Sequence, residues 1–226
     1  MAMTEAATLM DRMYRHQRHI YDASRKFYLL GRDGMIAGLA PPDQGTILEI
    51  GCGTGRNLIK AARMFPHTRC YGLDVSEEML VSARQSIRRA GFSSRIEVAQ
   101  ADATAFDPLH LFGVARFDRV FISYALSMIP PWRDVLASAC SVLTENGSLH
   151  VVDFGDQAGL PSWFGAALRQ WLSWFSVTPR LTLEDDMRAL ARTRGLGCQF
   201  SRPLRSYAFQ AVLQQNTAFN RSPNSL

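Results

Sequence analysis

The sequence predicts an α/β fold in which a mostly parallel sheet of seven strands carries helices on both faces. Short β-type stretches recur at 46–50, 69–74, 96–101, 117–124 and 148–154, separated by segments with helical spacing of apolar residues. Two further stretches, at 198–201 and 207–213, have the pattern of a final antiparallel pair. Such alternation is typical of parallel strands connected by helices.

The first strand ends in alternating glycines. Residues 46–50 have the composition of a central strand, and Gly51, Gly53 and Gly55 then supply backbone freedom and bare main chain that a ligand can approach. The spacing differs from the dinucleotide fingerprint G-x-G-x-x-G, because Arg56 stands where the last glycine would fall. Taken alone, the motif fits a plain tight turn or another kind of nucleotide site equally well.

Acidic residues end the next two strands. Asp74 closes the second strand, about 20 residues after the glycines, where an acid can accept ribose hydroxyls. Asp102 closes the third strand. Each acid by itself could be a strand-end cap, but in this order, together with Glu49, they place polar groups along one edge of the sheet.

This ordered set resembles the class I S-adenosylmethionine-dependent methyltransferases over nearly the whole chain, which implies a Rossmann-like fold and S-adenosylmethionine as cofactor. By that resemblance Glu49 and the glycine turn face the methionine part, Asp74 takes the ribose, and Asp102 with Ala103 frames the adenine. Carboxylates suit a cationic sulfonium, whereas a phosphate-binding loop would need donors and positive charge. The predicted cofactor-binding residues are Glu49, Gly51, Gly53, Gly55, Asn57, Asp74, Val75, Met79, Asp102, Ala103 and Ser123. For Met79, plain core packing is the alternative.

Length and composition predict a single compact unit. The chain has 226 residues, of which 47% are hydrophobic and 20% charged. We expect an N-terminal helical lid at 1–45 and a methyltransferase domain at 46–226. The four cysteines and five histidines show no metal-ligand spacing, so neither a metal site nor a disulfide framework is expected. The sequence shows neither a signal peptide pattern nor an apolar run of ~18 to 20 residues. This favours a cytoplasmic protein, with peripheral contact at the inner face of the membrane as a further option.

The net charge of +5 allows an anionic partner such as nucleic acid or lipid, although genome composition is an equal explanation because nearly all of the basic residues are arginine. Base-modifying methyltransferases resemble one another in an Asn/Asp-Pro-Pro-aromatic signature after the fourth strand. Here that position reads Ser123-Tyr124-Ala125-Leu126. We therefore expect no nucleic-acid substrate, and Ser123 and Tyr124 become candidates to line the cofactor and acceptor.

The segment 14–33 is dense in aromatic and basic residues. Tyr14, Tyr21 and Tyr28 recur every seven residues, which fits one or two helices over the ligand edge; an ordinary core stripe would explain the apolar positions but fits the tyrosines less well. The segment is similar to the N-terminal part of bacterial betaine-lipid N-methyltransferases, which trimethylate diacylglyceryl-homoserine. This resemblance implies a lid whose tyrosines line an amine pocket and whose arginines meet a carboxylate or a lipid surface.

Local signals predict the remaining elements. Ser76 has the character of an N-cap, with acids in the first turn of a helix that stops at Gly91. Further helices are predicted at 57–64, 134–143 and 183–194, and a turn at 145–147. The stretch 156–182 is predicted to be an aromatic insertion that includes Trp163, Trp171 and Trp174; this composition suits a membrane interface or an acyl-chain groove, or else an insertion that packs on the lid.

The predicted function is S-adenosylmethionine-dependent N-methylation of a lipid headgroup, by direct attack of a neutral amine on the methyl group. Tyr21 and Tyr28 are the candidate catalytic bases, with His19 and Asp153 also conceivable. Candidate acceptor-binding residues are Tyr14, Arg25, Tyr124 and Arg180.

The sequence is also compatible with other acceptors and with a non-enzymatic function. The acceptor could be phosphatidylethanolamine, a quinone or another small molecule, and a non-enzymatic cofactor sensor or scaffold would share the same cofactor residues. The expected partners are a lipid or small-molecule acceptor and, peripherally, an anionic membrane. The sequence carries no signal for an oligomeric state.

Overall fold

The computed structural model describes residues 29–174 and 177–215. Its centre is one seven-stranded sheet of order β3-β2-β1-β4-β5-β7-β6. The strands from β3 to β5 pair in parallel, and β7 is antiparallel to both β5 and β6. This arrangement confirms the predicted mostly parallel sheet with a final antiparallel pair. The strands are β1 (Thr46–Ile50), β2 (Arg69–Asp74), β3 (Ile96–Gln100), β4 (Phe117–Ser123), β5 (Leu143–Phe154), β6 (Leu196–Ser201) and β7 (Ala208–Gln215).

Helices connect these strands. They are α1 (Arg32–Ala37), α2 (Arg56–Met64), α3 (Glu77–Arg89), α4 (Pro108–Phe112), α5 (Trp132–Ser141), α6 (Ser162–Ser173) and α7 (Leu183–Arg194), with a 3₁₀ turn at Leu126–Met128 and a one-turn segment at Pro203–Ser206. Helix α3 begins as predicted: Ser76 Oγ accepts a hydrogen bond from the Met79 N–H at 3.3 Å. No helix in the described part of the chain is long and apolar enough to cross a membrane.

The sheet has a hydrophobic core on each face, because successive strand side chains alternate between the two faces. In β1, Leu48 and Ile50 belong to one core, together with buried residues of α5 and α7. Ile47 belongs to the other core, which includes buried residues of α1, α2, α3 and α6. Helices therefore cover both faces, as predicted.

The strand order reverses between β1 and β4, since β1 leads to β2 on one side and pairs with β4 on the other. In open parallel sheets, a crevice for ligands forms at such a reversal, outside the carboxyl ends of the strands. The glycine turn follows β1 and Tyr124 follows β4. The topology thus brings the two stretches most suggestive of a site to the same edge.

One predicted turn is part of a strand. The Glu-Asn-Gly at 145–147 lies inside β5, in a bulge where Phe117 pairs with Leu143 and Arg119 already pairs with Ser148. Thr144 Oγ1 donates a hydrogen bond to Asp118 Oδ1 at 3.2 Å across this irregularity, so the local turn is held within the sheet. The preceding helix accordingly ends at Ser141 rather than 143.

The aromatic insertion contains helix α6. Leu172 is buried, and Phe164, Leu168 and Trp171 pack against the core. Trp163 and Trp174 instead remain 71% and 67% exposed. Because only part of this aromatic surface is used for packing, the segment retains two large apolar side chains in contact with solvent.

Candidate cofactor and acceptor site

The glycine turn after β1 adopts backbone angles that favour glycine. Gly51 and Gly55 have φ of +73° and +74°, and Gly55 is the N-cap of α2. The N–H groups of Gly51 and Cys52 both donate to the Leu73 carbonyl, at 2.8 and 3.0 Å, which ties the turn to the end of β2. A Cβ on Gly51 would lie 2.7 Å from Ala125 Cβ, so the main chain at Gly51 closely approaches the segment that follows β4.

Asp74 is fixed against this turn. Its Oδ2 accepts the Gly53 N–H at 2.8 Å, and its Oδ1 accepts the Ser76 N–H at 3.0 Å. The side chain is half-buried. Because each carboxylate oxygen has two lone pairs, Asp74 can hold the turn and still accept further hydroxyl donors.

Asp102 makes a tight turn after β3. Its Oδ1 accepts hydrogen bonds from the Thr104 N–H at 2.8 Å and from Thr104 Oγ1 at 2.7 Å. Its Oδ2 has no hydrogen-bond donor within the described ranges. Since Oδ1 is held by the turn, Oδ2 is the oxygen that can face a ligand.

A cavity of about 170 Å³ lies between these strand ends. Seven of the residues predicted for the site line it, and its other walls are mostly apolar. Those seven residues are Gly51, Gly53, Asp74, Val75, Asp102, Ala103 and Tyr124. Met79 is not among the lining residues and is 2% exposed, so its side chain packs in the core.

A second, larger cavity of about 980 Å³ opens on the other side of the turn. It is lined by Glu49, Asn57 and Ser123, and Gly51 lines both cavities, so the two meet there. Glu49 Oε1 accepts a hydrogen bond from Asn57 Nδ2 at 2.7 Å, which orients the carboxylate. Ser123 Oγ is buried without a hydrogen-bond partner in the described part of the chain.

Tyr124 is held in a strained conformation. Its φ is +55°, and its hydroxyl donates to the Leu30 carbonyl. Burial, with Asp153 nearby, raises the pKa of the phenol far above its usual value, so the phenol stays protonated. Tyr124 therefore lines the smaller cavity while its ring packs against Phe154 and its hydroxyl is engaged by Leu30.

Arg180 braces one wall of the smaller cavity. Its Nε donates to the Leu126 carbonyl and its Nη2 to the Ile129 carbonyl, both at 2.9 Å. Met128 and Ile129 line that cavity. In this geometry the guanidinium holds the 3₁₀ turn, a use of Arg180 that differs from the predicted contact with an acceptor carboxylate.

Asp153 also supports this wall, through the 3₁₀ turn. It is fully buried, its Oδ1 accepts the Phe154 N–H at 2.8 Å, and its Oδ2 accepts the Ser127 N–H at 3.1 Å. Burial raises the pKa of its carboxyl to about 6. Because Asp153 lines neither cavity, it is poorly placed to take a proton from an acceptor.

Two parts of the site are absent from the sequence-based prediction. The first is the wall at 128–131. The second is a set of basic side chains in the larger cavity, Lys60, Arg63 and Arg89. Helical spacing of Arg56, Lys60 and Arg63 is the signal that could have indicated the second set. The predicted Tyr14, Tyr21, Arg25 and Tyr28 lie outside the described residues.

The described residues fit S-adenosylmethionine. The smaller cavity offers Asp74 for the ribose hydroxyls and apolar walls beside Asp102 and Ala103 for the adenine. Close to Gly51 there is no room for a Cβ, and Ser123 supplies a buried hydroxyl with unused hydrogen-bonding capacity. Glu49 adds a carboxylate that suits the cationic end.

Comparison with known proteins agrees with this geometry. Residues 47–147 match the family described as "Methyltransferase domain". A phosphatidylethanolamine N-methyltransferase of Cereibacter sphaeroides is 30% identical over 156 residues, covering 66% of this chain and 73% of that protein. A ubiquinone/menaquinone biosynthesis C-methyltransferase (UbiE) of Dinoroseobacter shibae is 29% identical over 123 residues, covering 54% of this chain and 48% of that protein. This chain thus spans about half the length of that quinone methyltransferase.

Solved structures share the fold. The complex of a methyltransferase activator with a methyltransferase from Haloferax volcanii includes a chain that matches with a TM-score of 0.70 at 14% identity, covering 90% of this chain and 96% of that one. A methyltransferase from Aquifex aeolicus matches with a TM-score of 0.64 at 15% identity, covering 89% and 98%. These structures show the fold, whereas the matched domain and the relative of which 73% is covered identify the family. The chain belongs to the class I S-adenosylmethionine-dependent methyltransferases.

Proposed function

We propose that this protein methylates the amino group of a lipid headgroup. The observation that carries the proposal is the 30% identity with a phosphatidylethanolamine N-methyltransferase over 73% of that relative's length. The cavity geometry supports it as well, because the larger cavity reaches the cofactor edge at Gly51 and has both basic and apolar lining residues. A zwitterionic lipid headgroup presents the matching combination of charge and apolar surface.

Diacylglyceryl-homoserine is the acceptor we propose first, because the segment 14–33 is similar to that of betaine-lipid N-methyltransferases. Phosphatidylethanolamine is the second candidate, favoured by the name of the relative just described. A quinone ring is the third, favoured by the UbiE relative. The basic lining of the larger cavity favours the first two, since both carry an anionic group close to the amine.

Residues of this chain would bind, orient and enclose the reactants. S-adenosylmethionine supplies an electrophilic methyl group on a sulfonium cation. Asp74 and Asp102 would hold its nucleoside end, and Glu49, hydrogen-bonded to Asn57, would lie near its cationic end. Buried Ser123 lines the larger cavity, where the acceptor would bind. Positioning and exclusion of water then account for most of the catalysis, as is usual for a direct displacement.

Incubation of the purified protein with radiolabelled S-adenosylmethionine and separate fractions of lipid extract, soluble metabolites and RNA tests the proposal. We expect label in a zwitterionic lipid, and release of trimethylhomoserine on hydrolysis would identify the betaine lipid. Label in choline-type phospholipid would select the second candidate. Label only in soluble metabolites or RNA, or no label from protein that binds the cofactor, would contradict lipid N-methylation.

A further inference from the structure

The larger cavity contains a basic groove, which we define as the side chains of Arg56, Lys60, Arg63 and Arg89. The first three follow i, i+4, i+7 spacing, so they line up along one face of α2. Arg89 comes from the end of α3 and lines the same cavity. Two turns of a helix span roughly 11 Å, which is comparable to the length of a phospholipid headgroup.

Few acids balance this charge. Asp33 and Glu49 are the carboxylates that line the cavity among the described residues. Asp33 is already paired with Lys60 Nζ at 2.6 Å, and that hydrogen bond is the main cause that lowers its pKa. Glu49 lies at the inner end, hydrogen-bonded to Asn57. The groove therefore has an acidic inner end and a basic outer wall.

Two of the four cations of the outer wall are unsatisfied within the described residues. Arg56 and Arg89 form no ion pair and no hydrogen bond with the described residues, and both are exposed. The Arg63 guanidinium lies 5.9 Å from the centroid of the Phe92 ring, which is a weak contact. Like charges along one groove repel each other, and a bound anion would relieve that repulsion.

Arg56 occupies a position that is unfavourable for helix stability. It is the first residue of α2, whose first turn has no acidic residue. The helix dipole places partial positive charge at that end, so a cation there destabilises the helix slightly, whereas an anion is stabilised. Stability alone therefore does not explain an arginine here.

We propose that the basic groove binds the oxyanion of a zwitterionic acceptor, its phosphate or carboxylate, while the amine of the same headgroup reaches Glu49, Gly51 and Ser123. Arginine suits this role because its planar guanidinium binds phosphate or carboxylate through two parallel hydrogen bonds. This inference rests on the proposed function, since it assigns a subsite to the same acceptor. With its basic outer wall and acidic inner end, the cavity would select an acceptor whose amine has an oxyanion a few bonds away.

The test compares Arg56→Gln and Arg89→Gln with Arg88→Gln in the full-length chain. Arg88 is the matched control, because it is exposed on α3 next to Arg89 and does not line the cavity. The acceptors are dihexanoyl phosphatidylethanolamine, dihexanoylglyceryl-homoserine and octylamine, which has no oxyanion. At saturating S-adenosylmethionine, we expect each groove variant to raise the KM of an oxyanion-bearing acceptor about tenfold or more, with kcat within about twofold of wild type. The KM for octylamine should not change.

The pattern across acceptors identifies the source of the oxyanion. An effect confined to phosphatidylethanolamine assigns the groove to phosphate, and one confined to the homoserine lipid assigns it to carboxylate. If the groove variants behave like Arg88→Gln, or if they raise the KM of octylamine equally, the groove does not bind an oxyanion and the inference is wrong.

A binding measurement separates this inference from the proposed function. Calorimetric titration of the two short-chain lipids into protein saturated with S-adenosylhomocysteine needs no turnover. If no lipid is methylated but wild type binds one of them about tenfold or more tightly than Arg56→Gln, lipid methylation fails while the groove stands. If lipid is methylated and binding is equal in wild type and the groove variants, the groove assignment fails while the function stands.

Discussion

Replacing Gly51 by alanine tests whether the glycine turn shapes the cofactor site. Gly51 has φ +73° and lines both cavities. An added Cβ would lie 2.7 Å from Ala125 Cβ, and Ala125 has no longer side chain that could rotate away. The main chain after β4 must therefore move, and with it the wall that ends the smaller cavity.

The expected cost has two parts. An L-residue in the left-handed region costs about 1 to 2 kcal/mol. Carbon atoms normally lie about 3.5 to 4 Å apart, so relieving the contact requires a shift of about 1 Å in a packed region, which costs about 1 to 3 kcal/mol. We expect Gly51→Ala to lower the free energy of unfolding by about 2 to 5 kcal/mol.

Gly91→Ala is the matched control. Gly91 has φ +78°, but a Cβ there meets nothing within 4 Å. This variant carries only the backbone part of the cost, about 1 to 2 kcal/mol. The difference between the two variants therefore isolates the contact with Ala125.

Urea unfolding gives both free energies, and calorimetric titration gives the affinity for S-adenosylmethionine. We expect Gly51→Ala to weaken cofactor binding about tenfold or more and Gly91→Ala to leave it unchanged. Equal unfolding free energies for the two variants would refute the steric argument. Wild-type cofactor affinity in Gly51→Ala would show that the turn does not shape the cofactor site.

Three further predictions concern Asp74, Asp153 and the two exposed tryptophans. Asp74→Ala removes the acceptor for the Gly53 N–H and for ribose hydroxyls, so cofactor affinity measured by calorimetry should fall about tenfold or more; unchanged affinity would contradict the ribose assignment. Since burial raises the pKa of Asp153 to about 6, the unfolded chain releases this proton first, and the free energy of unfolding falls as pH rises from about 4 to about 6. In urea titrations, Asp153→Asn should reduce the fall in unfolding free energy between about pH 4.5 and about pH 7 by about 2 kcal/mol. An unaltered pH dependence would contradict the raised pKa of Asp153. Joint replacement of Trp163 and Trp174, 71% and 67% exposed, by alanine should leave the melting temperature unchanged and weaken sedimentation with anionic vesicles; undiminished sedimentation would exclude these side chains from the membrane contact.

The sheet could be predicted because its signals are local. The parallel strands β1, β2 and β3 are short β-type runs that end at or close to a glycine or an acid, and Ser76 with its acids marks the start of α3 within a few residues. The bulge in β5 could not be predicted in this way, because Glu145-Asn146-Gly147 has the composition of a turn. Only pairing with β4 and the contact between Thr144 and Asp118 show that this turn lies inside a strand.

The residues of the site also differ in whether local sequence signals could predict their roles. Asp74 and Asp102 could be placed at one edge from sequence, since the carboxyl ends of parallel strands meet there. The role of Arg180 could not be predicted, because its guanidinium contacts the carbonyls of Leu126 and Ile129, which come 54 and 51 positions earlier in the chain. An arginine in a sequence is compatible with binding a carboxylate or bracing a loop, and only the fold distinguishes the two.

The same distinction applies to the arginines that give the chain its net charge of +5. Several arginines are occupied by the fold itself: Arg95 donates to the carbonyls of Ala62 and Phe65, Arg116 to Leu143, and Arg119 to Leu39 and Ala40. The basic groove is different because Arg56 and Arg89 have no such partners within the described ranges and share one cavity. Beside the cofactor edge, two cations unpaired in the described part of the chain thus share one cavity with Glu49, which is buried at its inner end. An extended polyanion would meet that carboxylate, whereas a zwitterion that places its amine inward complements both ends of the cavity.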